Sequence, residues 1–162
     1  MDKSITNWRL LKRLYSIHSA SGKEDGMIKF LCSYIKSLPG DIQLGKDKYG
    51  NLYAVKGTAE TYPCIVAHLD QVQAAYPRDF RATENRDIIF GYSAKQHSFV
   101  GLGADDKNGI FIALEALKKY DSLKVAFFKE EEIGCKGSSQ AELSFFDDCR
   151  YVSSAIDVAI QT

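Results

Sequence analysis

Four groups of histidine and acidic residues lie along this sequence at points where apolar runs end. Histidine and carboxylate side chains bind divalent cations such as zinc, and a carboxylate can also act as a general base. A single metal site would form if the fold brought the four groups together. The groups are His68 with Asp70, the paired acids Asp105 and Asp106 in the turn 101–109, the glutamate triplet 130–132, and Asp157.

His68 and Asp70 are two residues apart, so on a strand end their side chains would project to the same side. A histidine in that position can bind a metal through one ring nitrogen while the carboxylate orients it through the other. The alternative is a strand-end histidine beside an incidental surface aspartate. The short H-x-D pattern alone does not separate the two interpretations.

The paired acids follow a glycine-rich turn and precede the apolar run 110–114. A carboxylate in such a turn can bridge two cations with its two oxygens. Aspartates also occur at helix starts, where they cap N–H groups and interact favourably with the helix dipole. This second interpretation applies more to Asp106 than to Asp105, which lies nearer to the glycine turn.

Three adjacent glutamates, 130–132, repel one another unless cations or hydrogen bonds compensate. One of them can bind a metal while its neighbour acts as a general base on a water molecule. A solvated charge run is the alternative. Asp157 is an isolated acid in the apolar segment 155–160, where burial of an unpaired carboxylate would be costly.

Hydrophobic periodicity predicts the elements that must position these residues. Buried strands are expected at 62–67, 123–128 and 151–156, and their carboxyl ends lead into three of the four groups. Because strands and helices alternate in the second half, we expect a largely parallel sheet, and ligands bind at the carboxyl ends of such strands. The other predicted elements are helices at 5–17, 24–38, 108–120 and 138–146, a hairpin of 42–44 with 52–55, short strands at 79–82 and 87–91, and a loop at 92–99. Ser21 and Glu24 have the spacing of a capping box for the second helix.

Composition limits the possible functions. The chain has 162 residues, 45% of them hydrophobic, and its 21 basic and 21 acidic residues give no net charge. One domain is expected, and no basic stripe favours nucleic acid or an anionic membrane as a partner. The amino terminus lacks the apolar core of a signal peptide, and no run of about 18 apolar residues occurs, so we expect a soluble cytoplasmic protein. Four scattered cysteines without a C-x-x-C pair predict reduced packing residues.

The motifs resemble those of the co-catalytic two-zinc exopeptidases and amidohydrolases. This superfamily includes peptidase T, glutamyl aminopeptidases, carboxypeptidase G-type enzymes and acetylornithine deacetylase. Segments 19–24 and 47–52 also resemble its amino-terminal motifs, so the resemblance covers nearly the whole chain. The matching motifs are His68-x-Asp70, Gly103-Ala104-Asp105-Asp106-Lys107-x-Gly109, Glu131-Glu132-Ile133-Gly134-x-x-Gly137-Ser138 and Ala155-Ile156-Asp157, the second of which is most like peptidase T.

The resemblance implies a fold and a set of roles. The fold would be α/β, a three-layer αβα sandwich with a mixed, centrally parallel sheet, truncated at the carboxyl end. Two zinc ions would be present: His68 and Asp157 would hold one, Glu132 the other, and Asp105 would bridge them. Glu131 would be the general base, and Asp70 would orient His68. The resemblance also implies a cis peptide bond between Asp105 and Asp106.

One family feature has no counterpart in the sequence. Members of the superfamily carry a second zinc-binding histidine near the end of the catalytic domain, after an inserted lid or dimerisation domain. Residues 1–162 are therefore expected to form a single partial catalytic domain without that lid domain, with an incomplete second metal site. His97, in the predicted loop 92–99, is the spare candidate ligand, whereas His18 falls in the predicted first helix and receives no role.

The expected function is zinc-dependent hydrolysis of a peptide bond in a small peptide, of the aminopeptidase or di/tripeptidase type, with activity reduced by the incomplete second site. Two alternatives stay open. An N-acyl amino acid deacylase could use the same site on acyl amino acid substrates. A non-catalytic homologue could instead bind a partner or form a homodimer through the sheet edge left open by missing carboxyl-terminal strands.

Overall fold

Two β-sheets, one of five strands and one of three, organise the computed structural model, which describes residues 8–86 and 88–154. The helices are α1 (Trp8–Tyr15), α2 (Asp25–Lys36), α3 (Ala104–Lys119) and the single turn α4 (Lys136–Ser139), followed by a 3-10 turn at Leu143–Phe146. The strands are β1 (Ile42–Lys46), β2 (Leu52–Lys56), β3 (Tyr62–His68), β4 (Phe80–Asn85), β5 (Ile88–Ser93), β6 (Ser98–Val100), β7 (Leu123–Phe128) and β8 (Cys149–Ser154).

The five-stranded sheet has the order β1-β2-β7-β3-β8. β3 is parallel to both β7 and β8, whereas β1 and β2 are antiparallel to their neighbours. The predicted α/β fold with a mixed, centrally parallel sheet is therefore confirmed. Because His68 lies opposite Phe128 in the register, the ends of β3 and β7 reach the same edge of the sheet.

Helical structure lies on both faces of this sheet. One face packs against α1, α2 and α3 in a single apolar cluster to which Val125 and Phe127 of β7 contribute. Full burial of a large apolar side chain contributes about 1.5–3 kcal/mol to folding. On the opposite face, the ring of Phe128 lies 6.5 Å from that of Phe146 in the 3-10 turn. The alternation of core and opposite-face residues along β7 makes it the buried centre of the sheet.

The predicted hairpin of β1 and β2 is confirmed. Its turn depends on Asp47, whose Oδ1 accepts hydrogen bonds from the N–H groups of Gly50 and Asn51 at 2.8 and 3.0 Å. Gly50 has a φ of +98°, a conformation that favours glycine. The chemistry of the turn therefore follows from residues recognisable in the sequence.

The predicted loop at 92–99 is wrong. β5 continues to Ser93, and after a turn β6 pairs back onto it, with Tyr92 opposite Phe99. The rings of these two residues are 6.0 Å apart, and Phe90 lies 5.5 Å from Phe99. Contacts between aromatic side chains across the strands thus favour pairing in a segment without clear alternation.

The predicted helix at 138–146 is also wrong. α4 begins at Lys136 and ends at Ser139. The carbonyl of Gly137 accepts a hydrogen bond from Asn51 Nδ2 at 2.8 Å, and the N–H of Glu142 donates to the hydroxyl of Tyr53 at 3.2 Å. Because side chains at the start of β2 and in the turn before it bind these backbone groups, a continuous helix does not form.

The capping box predicted for α2 is not present. The helix begins after Glu24, which makes no side-chain capping bond, and Ser21 donates instead to Asp70 at 2.7 Å. Glu24 is buried and accepts hydrogen bonds from the N–H groups of Gly22 and Glu130. The side chains of Ser21 and Glu24 thus each bond a distant part of the chain instead of capping α2. His18 lies beyond the end of α1, not inside the first helix.

None of the helices in residues 8–86 and 88–154 combines the length and apolar character needed to cross a membrane.

The start of α3 leaves no room for a side chain at Gly109. Asp106 Oδ1 accepts a hydrogen bond from the N–H of Gly109 at 2.9 Å, and a methyl group at Gly109 would overlap that carboxylate. We expect Gly109→Ala to lower the free energy of unfolding by about 1–3 kcal/mol, because overpacking displaces Asp106. Urea denaturation would measure this change in the free energy of unfolding.

Gly26→Ala in α2 is the matched control. Its added methyl group would meet only Ile17, at 3.8 Å, so alanine should stabilise the helix by up to about 1 kcal/mol. Equal effects of the two substitutions would contradict the contact proposed at Gly109.

Candidate metal centre

One group of potential ligands is assembled at the carboxyl edge of the five-stranded sheet. The ligand atoms of His68, Asp105 and Glu132 all lie within 4.8 Å of one another. His68 is the last residue of β3, Asp105 lies at the start of α3, and Glu132 lies in the turn after β7. Three of the four groups seen in the sequence therefore meet at one place.

His68 is held by carboxylates on both sides of its ring. Nε2 lies 2.9 Å from Asp105 Oδ1, and Nδ1 lies 3.3 Å from Asp70 Oδ1 and 3.1 Å from the Asp70 carbonyl oxygen. Burial alone would lower the pKa of His68, but the bonds to Asp70 and Asp105 and the charge of Asp106 outweigh it and raise the pKa to about 9. The surroundings of this imidazole favour positive charge.

Asp70 is a buried carboxylate that connects three segments. Oδ1 accepts from the N–H of Glu131 at 2.9 Å, and Oδ2 accepts from the N–H of Glu132 at 3.1 Å and from the hydroxyl of Ser21 at 2.7 Å. Burial acts to raise the pKa of Asp70, but these bonds and the bond with His68 lower it to about 2. Asp70 thus positions the glutamate turn as well as His68, a role that the sequence did not indicate.

Asp105 and Asp106 have different surroundings. The side chain of Asp105 is 59% exposed and faces His68, whereas Asp106 is buried and accepts hydrogen bonds from the N–H groups of His68 and Gly109. Burial raises the pKa of Asp106 to about 7. The bond between the two aspartates is cis, as the resemblance implied. Asp106 therefore joins the helix start to the strand end, in line with the capping interpretation.

The turn before Asp105 lies directly on the segment that follows Asp70. Gly103 has a φ of +62°, and a methyl group there would lie 3.0 Å from atoms of the Gln71 side chain. Behind this contact, Lys107 is buried, and burial lowers its pKa to about 7. Sequence reasoning gave Lys107 no role, since lysine side chains are ordinarily exposed.

The three adjacent glutamates have three different environments. Glu130 accepts a hydrogen bond from the hydroxyl of Tyr49 at 2.5 Å, and its φ is +53°. Glu131 is 39% exposed, with Oε2 3.8 Å from His68 Nε2. Glu132 belongs to the ligand group, and burial, with the charges of Asp105 and Glu131, raises its pKa. Glu131 and Glu132 therefore face the centre, while Glu130 is engaged elsewhere.

A pocket of about 220 Å³ lies beside His68 and Glu131, with Val66 and Phe128 in its wall. Ser154, the last described residue of β8, also lines it. Asp157 lies outside the described residues.

His97 lies in the exposed turn between β5 and β6, with a φ of +48°, and is not part of the ligand group.

The donor set fits a divalent cation. One imidazole nitrogen and carboxylate oxygens on separate elements are ligands that zinc and related first-row metals accept. Asp70 beside the other ring nitrogen of His68 is the arrangement that commonly orients a metal-binding histidine. The chain therefore presents three candidate ligands and, on the same side, the carboxylate of Glu131, whose Oε1 accepts a hydrogen bond from the thiol of Cys135 at 3.4 Å.

The hydrogen bonds of Asp70 predict the effect of removing its charge. Asp70→Asn should lower the free energy of unfolding by about 1.5–3 kcal/mol, because one carboxylate oxygen becomes an amide donor that faces N–H or hydroxyl donors. Ser21→Ala removes one donor and leaves the carboxylate and its other partners in place, so about 1 kcal/mol is expected. Urea denaturation of both variants measures the difference, and an Asp70→Asn loss no larger than that of Ser21→Ala would contradict this account.

The sequence was compared with protein families and with individual proteins of known type. No family model matches the chain. A probable carboxypeptidase of Emericella nidulans is 30% identical over 142 residues, which cover 79% of this chain and 31% of that protein. The chain thus spans about a third of the length of this curated relative.

Among solved structures, a tripeptidase from Staphylococcus aureus superposes with a TM-score of 0.70 at 23% identity, over 93% of this chain and 43% of the other. Aminopeptidase PepT from Bacillus cereus gives 0.73 at 19% identity, with the same coverage of 93% and 43%. Human carnosine dipeptidase 1 gives 0.67 at 16% identity, over 91% and 37%. The chain therefore has the fold of these peptidases over most of its length.

Proposed function

We propose that this chain supplies the amino-terminal part of the catalytic domain of a metal-dependent exopeptidase that hydrolyses a peptide bond in small peptides. One observation carries the proposal. His68, Asp105 and Glu132 converge within 4.8 Å, and the carboxylate of Glu131 lies 3.8 Å from His68 Nε2. The similarity to a tripeptidase and an aminopeptidase supports a peptide as the substrate.

Each residue of the centre receives a distinct role. His68 and Asp157 would hold one of two zinc ions, Glu132 the other, and Asp105 both. When bound, the ions would polarise the scissile carbonyl group and lower the pKa of a water molecule. Asp70, which is anionic and buried, keeps the ring of His68 in place.

Glu131 is the residue proposed to move protons. Its side chain is more than a third exposed, so it can reach both solvent and substrate. It would accept a proton from the attacking water and donate it to the nitrogen of the leaving amine. The N–H of Glu131, bound to Asp70 Oδ1 at 2.9 Å, fixes the backbone from which this carboxylate extends.

Substitution of adjacent glutamates tests this assignment. Glu131→Gln should lower the rate of peptide hydrolysis by about 100-fold or more, because general acid-base catalysis contributes about 10²–10⁴-fold, and zinc content should not change. Glu130→Gln is the matched control. Its amide oxygen can still accept the Tyr49 hydrogen bond, so hydrolysis and zinc content should stay near wild type. Hydrolysis is followed by free amine release from a tripeptide, and zinc by elemental analysis.

Full activity in the Glu131→Gln variant would contradict the assignment of Glu131 as the general base.

Metal binding is tested separately from catalysis. Glu132→Gln and His68→Ala should each weaken zinc binding by about 10-fold or more, because each removes a proposed ligand. Calorimetric titration of the purified chain with zinc gives the affinity and the stoichiometry. A wild-type chain that binds no divalent cation would refute the proposed function.

If the chain binds no divalent cation, the non-catalytic alternative would be favoured. β8 pairs only with β3 among the described strands, and Tyr151 on it is 65% exposed, so association through this edge stays a prediction. If zinc binds, the same amine-release assay with N-acyl amino acids in place of peptides separates a peptidase from a deacylase. Faster turnover of acyl amino acids would contradict the peptidase assignment.

A further inference from the structure

We infer that Lys107 is a positioning residue of the metal centre: its buried side chain holds the turn that carries Asp105 against the segment that follows Asp70. The inference deepens the proposed function, since the position of Asp105 matters for metal binding. It rests on contacts that involve none of the proposed ligands directly.

The first observation is the burial of an amine without an acidic partner. Lys107 is 1% exposed and is among the largest fully buried side chains of the described residues. No carboxylate lies within ion-pair distance of its Nζ in residues 8–86 and 88–154. Burial of an ammonium group is costly unless other polar groups compensate, so the neighbours of Lys107 must supply that compensation.

The second observation is the set of acceptors around Nζ. The amine donates hydrogen bonds to Gln71 Oε1, to the hydroxyl of Tyr76 at 3.0 Å and to the carbonyl oxygen of Leu102 at 3.3 Å. A lysine ammonium has three donors, and three acceptors receive them here. Tyr76 also donates to the Leu102 carbonyl at 2.7 Å, which closes a ring of contacts.

These acceptors belong to two segments next to the metal centre: the turn before Asp105 and the segment that follows Asp70. Leu102 lies in the glycine turn, three residues before Asp105. Gln71 directly follows Asp70, and its backbone N–H donates to the carbonyl of Ser19 at 3.0 Å. Lys107 therefore connects two segments. One is the turn that leads into Asp105, and the other is the segment after Asp70, which is also bonded to Ser19.

The geometry of Asp105 depends on this turn. Its side chain is 59% exposed, and it is bonded to His68 Nε2 at 2.9 Å. Because so exposed a side chain is little constrained by packing, its position depends on the backbone turn that carries it. Loss of a residue that orients a metal ligand typically lowers metal affinity about 10–100-fold, which sets the expected scale.

The test compares two buried lysines. Lys107→Met keeps the length and apolar stem of the side chain but removes its hydrogen-bond donors. Lys56→Met is the matched control, because Lys56 is 6% exposed and its Nζ donates to the Leu117 carbonyl at 2.8 Å, near the carboxyl end of α3 and away from the centre. Zinc affinity is measured by calorimetry, and amide hydrogen exchange of residues 101–106 is measured by mass spectrometry without metal.

Lys107→Met should bind zinc about 10-fold or more weakly and should exchange faster at 101–106. Lys56→Met should change neither measurement by more than about twofold, even if it lowers the unfolding midpoint as much. An affinity and an exchange rate of Lys107→Met that match wild type would overturn the inference. An equal loss of affinity in Lys56→Met would also overturn it, since the effect would then be one of general stability.

If Lys107→Met does not fold, Tyr76→Phe is the variant that tests the inference. It removes one hydroxyl from the ring of contacts and leaves the amine in place, so a smaller loss of zinc affinity with faster exchange at 101–106 is expected, and wild-type values would overturn the inference. Failure of the proposed function is distinguishable: a wild-type chain without zinc binding refutes that function, while the exchange comparison still decides whether Lys107 holds the turn.

Discussion

The buried carboxylate of Asp70 is the constraint on which the centre depends. An unpaired charge in the interior costs several kcal/mol, so its hydrogen-bond donors must all be in place in the folded protein. These donors come from Ser21, from the N–H groups of Glu131 and Glu132, and from His68 two residues away. Because these bonds lower the pKa of Asp70 to about 2, the charge and its demand for partners persist over the ordinary pH range. The strand end, the loop before α2 and the glutamate turn therefore form one unit.

The glutamate turn is held through its main chain, which leaves two side chains available. Asp70 accepts the N–H groups of Glu131 and Glu132, and buried Glu24 accepts the N–H of Glu130 at 3.2 Å. Lys129 Nζ lies 3.6 Å from the other oxygen of Glu24. Two buried carboxylates thus fix the backbone of this turn from both sides. The carboxylates of Glu131 and Glu132 take no part in these main-chain bonds and can face the centre.

The sequence was informative where one local property decided the structure. The largely apolar runs at 62–67 and 123–128 predicted β3 and β7 closely, and parallel pairing then required His68 and the glutamates to meet at one edge. Local patterns failed where distant partners competed for the same groups. Ser21 and Glu24 match a capping box, but Ser21 bonds a residue 49 positions away, and Glu24 accepts from Glu130, 106 positions away, as well as from neighbouring Gly22. Lys107 gave no signal at all, because its burial depends on a turn and a loop that meet only in the folded chain.

The electrostatics of the centre explain why these side chains suit a divalent cation better than solvent. Burial raises the pKa of Asp106 to about 7 and also raises that of Glu132, so the site resists the accumulation of further negative charge. Burial acts to lower the pKa of His68, but Asp70, Asp105 and Asp106 raise it to about 9, so they favour a positive charge at its ring. A proton on Nε2 and a divalent cation bound there use the same lone pair. A cation brings two charges where a proton brings one, and Asp105, 2.9 Å from Nε2, is in place to bind it. The arrangement that stabilises imidazolium is therefore also the arrangement that favours a metal ion in its place.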